Sequence, residues 1–245
     1  MKLLFFIILL LSVVELNAQT LQLNYDLRHT VDPENNPKNY PTLYFEYFKT
    51  LDSGKAFIKP GSFLLKTEAD FLGDQDNLGK FYMQVSQEFR FWQPKVFLDV
   101  QYNGGLGITD PKEYSYYIVN TYSAGISYPF KLGDAFMSSV LNYKVVPYDK
   151  PTHDFLYTLY FYKGLWNYKA EFLGDFSIWT ENKNHGDTAT QNLTGKRFFF
   201  FAEPQFWFIL TKTFATGSKI NMYYHVNTVA NNLNIYPTLA VRLKL

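Results

Sequence analysis

Apolar side chains recur at every second position along most of this chain, and that rhythm restricts its fold more than any other feature. Successive side chains of an extended backbone point to opposite sides, so period two is the mark of a strand with unlike faces. Leu21, Leu23, Tyr25 and Leu27 alternate with Gln22, Asn24, Asp26 and Arg28. Phe81, Met83, Val85, Phe89 and Phe91 alternate with Tyr82, Gln84, Ser86, Glu88 and Arg90, with Gln87 breaking the apolar side. The same beat runs through Leu43–Tyr47, Phe63–Phe71, Val96–Tyr102, Tyr114–Tyr128, Phe155–Phe161, Tyr168–Ile178, Phe198–Phe208, Ile220–Val226 and Ile235–Leu245, and less cleanly through Met137–Val145.

These segments predict about twelve strands, each long enough to cross a thin bilayer at a tilt. Twelve is even, as single-chain outer-membrane barrels require. A sheet in hydrocarbon must close on itself, because every backbone N–H and C=O needs a partner. The fold class expected is therefore an all-β, transmembrane antiparallel barrel. A soluble sandwich would also alternate. Composition argues against it: 20% of the residues are aromatic and only 18% charged, yet mean hydropathy is −0.19. Alternation averages to such a value, whereas a bundle of membrane helices would not.

Residues 1–18, MKLLFFIILLLSVVELNA, read as a secretory signal peptide, and the barrel domain is expected over 19–245. Outer loops are expected at His29–Tyr40, Leu72–Leu78, Gly104–Lys112, Pro147–Asp154, Glu181–Lys196 and Val229–Asn234. Shorter turns are expected at Trp92–Lys95, Pro129–Asp134, Gly164–Asn167 and Ala215–Ser218, with Thr50–Pro60 longer than the rule allows. Tyr102, Tyr114, Tyr128, Tyr168 and Tyr224 are candidates for interfacial aromatic girdles. Pro204 predicts a bulge within its strand, and Gln87 and Asn120 predict a slip or bulge where they interrupt the lipid-facing side.

The side opposite the apolar one would line the lumen. It carries Gln22, Asn24, Asp26, Arg28, Tyr44, Glu46, Lys66, Glu68, Tyr82, Glu88, Arg90, Phe97, Asp99, Tyr117, Lys169, Glu171, Asp175, Glu203, Trp207, Tyr223, Arg242 and Lys244. Both charge signs are present in similar amounts, whereas a ring of one sign would suggest an ion-selective pore. A mixed lumen with aromatic faces suits a small polar, uncharged solute with a flat ring. The same charges would equally brace the wall by pairing with one another.

Other chemistries are poorly served. A net charge of +1 gives no electrostatic footprint for nucleic acid. With no cysteine there is no disulfide or Cys-ligated metal. Neither a cofactor nor a metal is expected. None of His29, His153, His185 and His225 has a serine two residues away on its strand face, so no enzyme is expected.

The segments LQLNYDLRHT, YPTLYFEYF, YMQVSQEFRFW and KVFLDVQYNGG resemble Tsx-like nucleoside channels and a related outer-membrane family of unassigned function. The resemblance implies a monomeric barrel in the outer membrane, with a narrow pore passing nucleosides. Asp26 and Arg28 on the first strand, and Tyr44 and Glu46 on the second, are the positions it carries over. The partners expected are membrane lipid, a small-molecule solute and the barrel-assembly machinery acting on the C-terminal strand. A closed structural or receptor barrel is the alternative.

Overall fold

The computed structural model describes residues 19–50, 59–91, 95–108, 114–226, 228 and 230–245. The signal-peptide segment, nearly all of the Thr50–Pro60 turn, most of Trp92–Lys95 and part of Gly104–Lys112 lie outside the described residues. Among the described residues the chain forms one antiparallel sheet that closes into a twelve-strand barrel. The wall runs β1 (Gln19–Asp26), β2 (Tyr40–Thr50), β3 (Lys59–Asp70), β4 (Lys80–Arg90), β5 (Phe97–Ile108), β6 (Ser115–Leu132) and β7 (Ala135–Val146). It continues through β8 (Thr152–Leu165), β9 (Ala170–Asn182), β10 (Lys196–Ala202), β11 (Gln205–Ile209), β12 (Phe214–Tyr224) and β13 (Leu233–Lys244). β10 and β11 are two halves of one wall strand, and β13 pairs with β1 from Thr20↔Lys244 to Asp26↔Thr238, which closes the cylinder. A four-residue helix, α1 (Arg28–Val31), follows β1.

The two faces are inverted relative to a soluble protein. Leu23, Tyr25, Leu98, Val100, Leu141, Phe155 and Leu239 stand exposed on the outside. Asn24, Asp26, Lys66, Asp99, Asn142, Glu203, Lys219 and Arg242 are buried inside. Water would penalise so large an apolar exterior, and a lipid surround removes that penalty.

Bulges settle the irregular positions. Between Asn103↔Thr121 and Gly105↔Ile118 the β6 strand carries one extra residue, at Val119–Asn120. Asn120 stays outside, where its amide oxygen accepts from the Tyr102 hydroxyl at 2.8 Å. The extra residue reverses the alternation beyond it. Tyr117, expected in the lumen, is therefore opposite outward-facing Leu106 and is 79% exposed. A second bulge falls on β3 between Pro60 and Phe63, opposite Glu88. Gln87 faces out beside it and donates its amide to the carbonyls of Glu88 (2.8 Å) and Ser62 (3.3 Å).

Pro204 gives no bulge. Register is unchanged across it, from Ala202↔Phe176 to Gln205↔Leu173 on β9 and from Ala202↔Met222 to Gln205↔Lys219 on β12. Proline removes only one donor, and its carbonyl still accepts from Ile220 N at 2.9 Å. Gly174 makes the close passage possible. It sits opposite Pro204 at φ 147°, and a Cβ there would lie 2.3 Å from the Glu203 carbonyl oxygen.

Other boundaries shift. β5 continues to Ile108, so Gly104–Gly107 is strand rather than loop. Pro129–Leu132 belongs to β6, leaving Gly133 and Asp134 as the turn. Ala215–Ser218 lies inside β12; the turn is at Leu210–Thr213, where Thr211 Oγ1 accepts from Phe214 N at 3.0 Å. Lys169, expected in the lumen, sits exposed in the turn between β8 and β9.

Gly174→Val should lower unfolding stability by about 1–3 kcal/mol through strain at this crossing. Pro204→Ala should change it far less. Urea midpoints read from heat-modifiable gel mobility of the two variants check this order.

Candidate functional site

A barrel of about eight strands is filled by its own side chains, and one of about 16 to 18 leaves a water-filled channel. At twelve strands, interior side chains decide whether a path exists. Here the first half-turn of wall reaches across to the last. Lys66 of β3 pairs with Glu203 between β10 and β11, and Lys219 of β12 donates to Glu203 Oε1 at 2.7 Å and Glu68 Oε2 at 3.4 Å. Lys66 Nζ also lies 3.9 Å from Asp175 Oδ1. The Tyr44 ring packs against both ammonium groups, 5.3 Å from Lys66 Nζ and 5.0 Å from Lys219 Nζ. Its hydroxyl donates to Glu46 Oε2 at 2.8 Å. Lys219 and Glu203 are each 1% exposed, so this cross-barrel layer is sealed.

The layer forms the floor of a vestibule of about 360 Å³ opening towards the long loops. Glu68, Lys80 and Glu203 line its base, and Arg28, Asn221, Asn234, Tyr223 and Tyr236 its sides. Lys80 Nζ pairs with Asp70 Oδ2 at 2.5 Å, and Thr42 Oγ1 donates to Asp70 Oδ1 at 2.7 Å. Arg28 belongs to α1 and not to β1. Its guanidinium folds back on Asp26, Nη2 to Oδ2 at 2.9 Å, and lies over the rings of Tyr40 (4.8 Å) and Tyr236 (5.2 Å). The Tyr236 hydroxyl donates to Asp32 Oδ2 at 2.9 Å and holds that carboxyl below the usual range. A lowered pKa stabilises the folded state above the unfolded value, so this anchor weakens as pH falls through the lowered one.

Apart from Tyr117 and Lys169, the remaining sequence-predicted residues fall elsewhere in the lumen. Towards the short-turn end, Glu171 binds Arg242 and also Lys244 (2.7 Å), while the Arg242 guanidinium sits 4.6 Å from the Trp207 ring centre. Trp207 Nε1 donates to Gln205 Oε1 at 3.0 Å. On the opposite wall Asp99 accepts from Asn142 Nδ2 at 2.6 Å, Glu88 takes the Ser127 hydroxyl and Ser62 N, and Arg90 lies over Phe97. Tyr82 stands on β4 between Glu68 and Gly105. The inward set thus forms three groups; the first, with Tyr44, Glu46, Lys66 and Glu68, spans the barrel, and the second, where Gln22 Nε2 donates to Gln205 Oε1 at 3.3 Å beside fully buried Trp207, is buried as well.

Lys80, Lys219 and Tyr236 belong to the site without having been expected there. Lys219 shares alternation with Asn221 and Tyr223, a signal masked by placing a turn at Ala215–Ser218. The ring nitrogens of His225 bind Phe198 O (2.7 Å) and Asn231 Oδ1 (2.8 Å). Among the described residues no group of three or more His, Cys, Asp or Glu is placed to hold a metal ion.

Glu203→Gln would leave two buried ammonium groups short of an anion. It should cost about 3–5 kcal/mol, the range for breaking a buried pair. Lys38→Met, which removes a bridge to the largely exposed Asp76 and a hydrogen bond to the Gly73 carbonyl at 2.6 Å, should cost less, about 1–2 kcal/mol. Urea unfolding in detergent compares them.

A family model described as domain of unknown function (DUF5020) matches residues 18–245, and the chain belongs to that family. No curated protein matches the chain. Among solved structures, LpxR from Salmonella typhimurium aligns at TM-score 0.43 and 8% identity, over 93% of this chain and 100% of LpxR. The Acinetobacter baumannii outer membrane protein Omp33 aligns at 0.38 and 12%, over 94% and 98%. A porin aligns at 0.39 and 9%, over 86% of this chain and 64% of the porin, so this chain spans less than two thirds of the porin's length. The family match brings no nucleoside specificity with it.

Proposed function

We propose that this member of the family is a narrow, non-enzymatic diffusion channel of the bacterial outer membrane, acting as a monomer on small, uncharged polar solutes. The observation that carries the reading is the cross-barrel layer Lys66–Glu203–Lys219–Glu68 at the floor of an open polar vestibule. Among the described residues this barrier consists of the tips of long unbranched side chains. Side-chain rotation alone would open it, against the buried ion pairs that hold it shut. An ion of either sign entering the layer must break a balanced pair and lose its own hydration. A neutral solute exchanges hydrogen bonds instead, and Asn221, Asn234, Tyr223 and Tyr236 offer donors, acceptors and ring faces on the way in. Nucleosides, with a flat base and sugar hydroxyls, are the solute class proposed. Export by a signal peptide and insertion by the barrel-assembly machinery complete the proposal.

The 1% exposure of Lys219 favours a second reading, a closed barrel without transport. Planar-bilayer recording separates the two. The channel reading expects small unit conductance that falls as uridine or adenosine is added, and a wild type that never conducts sinks it. Conductance indifferent to nucleosides removes the solute class and leaves a general pore. Lys219→Gln should raise unit conductance severalfold and shift it towards cations, because Glu68 loses a counter-charge. Tyr236→Ala should weaken nucleoside block.

A further inference from the structure

The barrel wall has a window. β8 and β9 pair from Leu165↔Ala170 only as far as Leu156↔Trp179. Beyond that, Thr152–Phe155 keep their partners on β7, and Thr180–Asn182 keep theirs on β10, but the backbones of the two strands no longer pair with each other. Contact resumes above the gap. Lys150 N donates to His185 O at 2.7 Å, and the Tyr148 ring stacks on His185 with centroids 3.9 Å apart. The opening is therefore bounded by the ladder below and by two touching loops above.

Side chains pass through it. Asp154 is on the inward side of β8, with Lys144 opposite on β7. Thr180 and Lys196 are paired with or next to outward residues, Phe198 among them. Yet Thr180 Oγ1 donates to Asp154 Oδ1 at 2.5 Å, and Lys196 Nζ reaches both Asp154 and the His153 carbonyl, the latter at 2.9 Å. Bonds between an inward carboxylate and outward donors are possible only where no ladder stands between them. Phe155, 68% exposed, and Phe198 flank the gap on the outside, where the apolar wall meets the loop end of β8 and β9. Unpaired backbone at that depth is tolerated only beside a cavity or under protein cover. A cleft of about 460 Å³ lies here, within the range of about 300–1,000 Å³ typical of small-molecule sites.

From this we infer that the β8–β9 window is a binding site for a long-chain fatty acid entering from the lipid phase. Phe155, Ile178 and Phe198 offer the acyl chain an apolar trough continuous with the membrane. Lys196 is 46% exposed along its side chain, while Asp154 beneath it is 1% exposed. A head group arriving from the membrane meets the ammonium before the carboxylate, so an anionic head is favoured. Thr180 supplies a hydroxyl beside the same point. The site is separate from the vestibule and does not depend on the channel reading.

Photolabelling in phosphatidylcholine vesicles tests the inference. Palmitate with a diazirine in its tail should label the peptides holding Phe155, Ile178 and Phe198 severalfold above those holding Leu23 and Leu239, and unlabelled palmitate should abolish the excess. Lys196→Gln should cut that excess about threefold to fivefold, the worth of one half-exposed ion pair, with Leu239 labelling unchanged. Labelling spread evenly around the wall overturns the inference. So does enrichment seen with a diazirine-tailed phosphatidylcholine that palmitate fails to displace, since bilayer lipid would then be the occupant. Should the variant lose its heat-modifiable mobility, competition by palmitate on the wild type decides alone.

Discussion

Hydrocarbon offers no hydrogen bonds to a peptide group, and that constraint organises the molecule. Strand alternation alone would allow an open sheet. Closure of β13 onto β1 is what removes the edges, and closure forces one face of every strand outwards to lipid and the other into a confined interior. Burial of lysines, glutamates and aspartates follows from geometry, not from any preference of those residues for a core. Once confined, each charge needs a partner, and the nearest available partners are often on the opposite wall. The Lys66–Glu203–Lys219 layer is thus a direct result of closing a sheet of this size around charged side chains.

What could be read from the residues is what depends on alternation. The twelve wall strands and most of the inward set, from Asp26 on β1 to Arg242 on β13, follow from side-chain parity without any long-range information. Parity fails where an inserted residue resets it. Asn120 signalled the bulge on β6, but the reversal it imposes on Tyr117 depends on which side of the bulge the count is taken from. Pro204 shows the converse: a residue that suggests disruption is accommodated without a register change because Gly174, distant in sequence, yields the space. Arg28 continues the polar alternation of β1 but belongs to α1, where its own side chain caps Asp26.

The site itself was legible in membership and illegible in connection. Lys66 and Glu203 are 137 positions apart, and Glu68 and Lys219 are 151 apart. No local pattern encodes a contact across the barrel, since it depends on how far the cylinder flattens and which walls approach. The window between β8 and β9 is hidden for a related reason. Both strands look regular in sequence, and only the loss of one pairing out of two distinguishes Thr180–Asn182 from the rest of the wall.

The vestibule floor and the window use the same chemistry under opposite demands. At the floor, Lys219 is sealed among acids and an aromatic face, so its pairing is insulated from water and salt. At the window, Lys196 is half exposed and holds Asp154 from the outside of the wall, where a competing anionic group can reach it. The first arrangement keeps the two ends of the lumen apart and exchanges partners only at high cost. The second is a latch that a single competing anion can occupy. A closed barrel needs every backbone group satisfied. Where this one leaves a stretch of β8 and β9 unpaired, it substitutes a lysine ammonium for the missing neighbour, and a side chain can be displaced far more readily than a ladder.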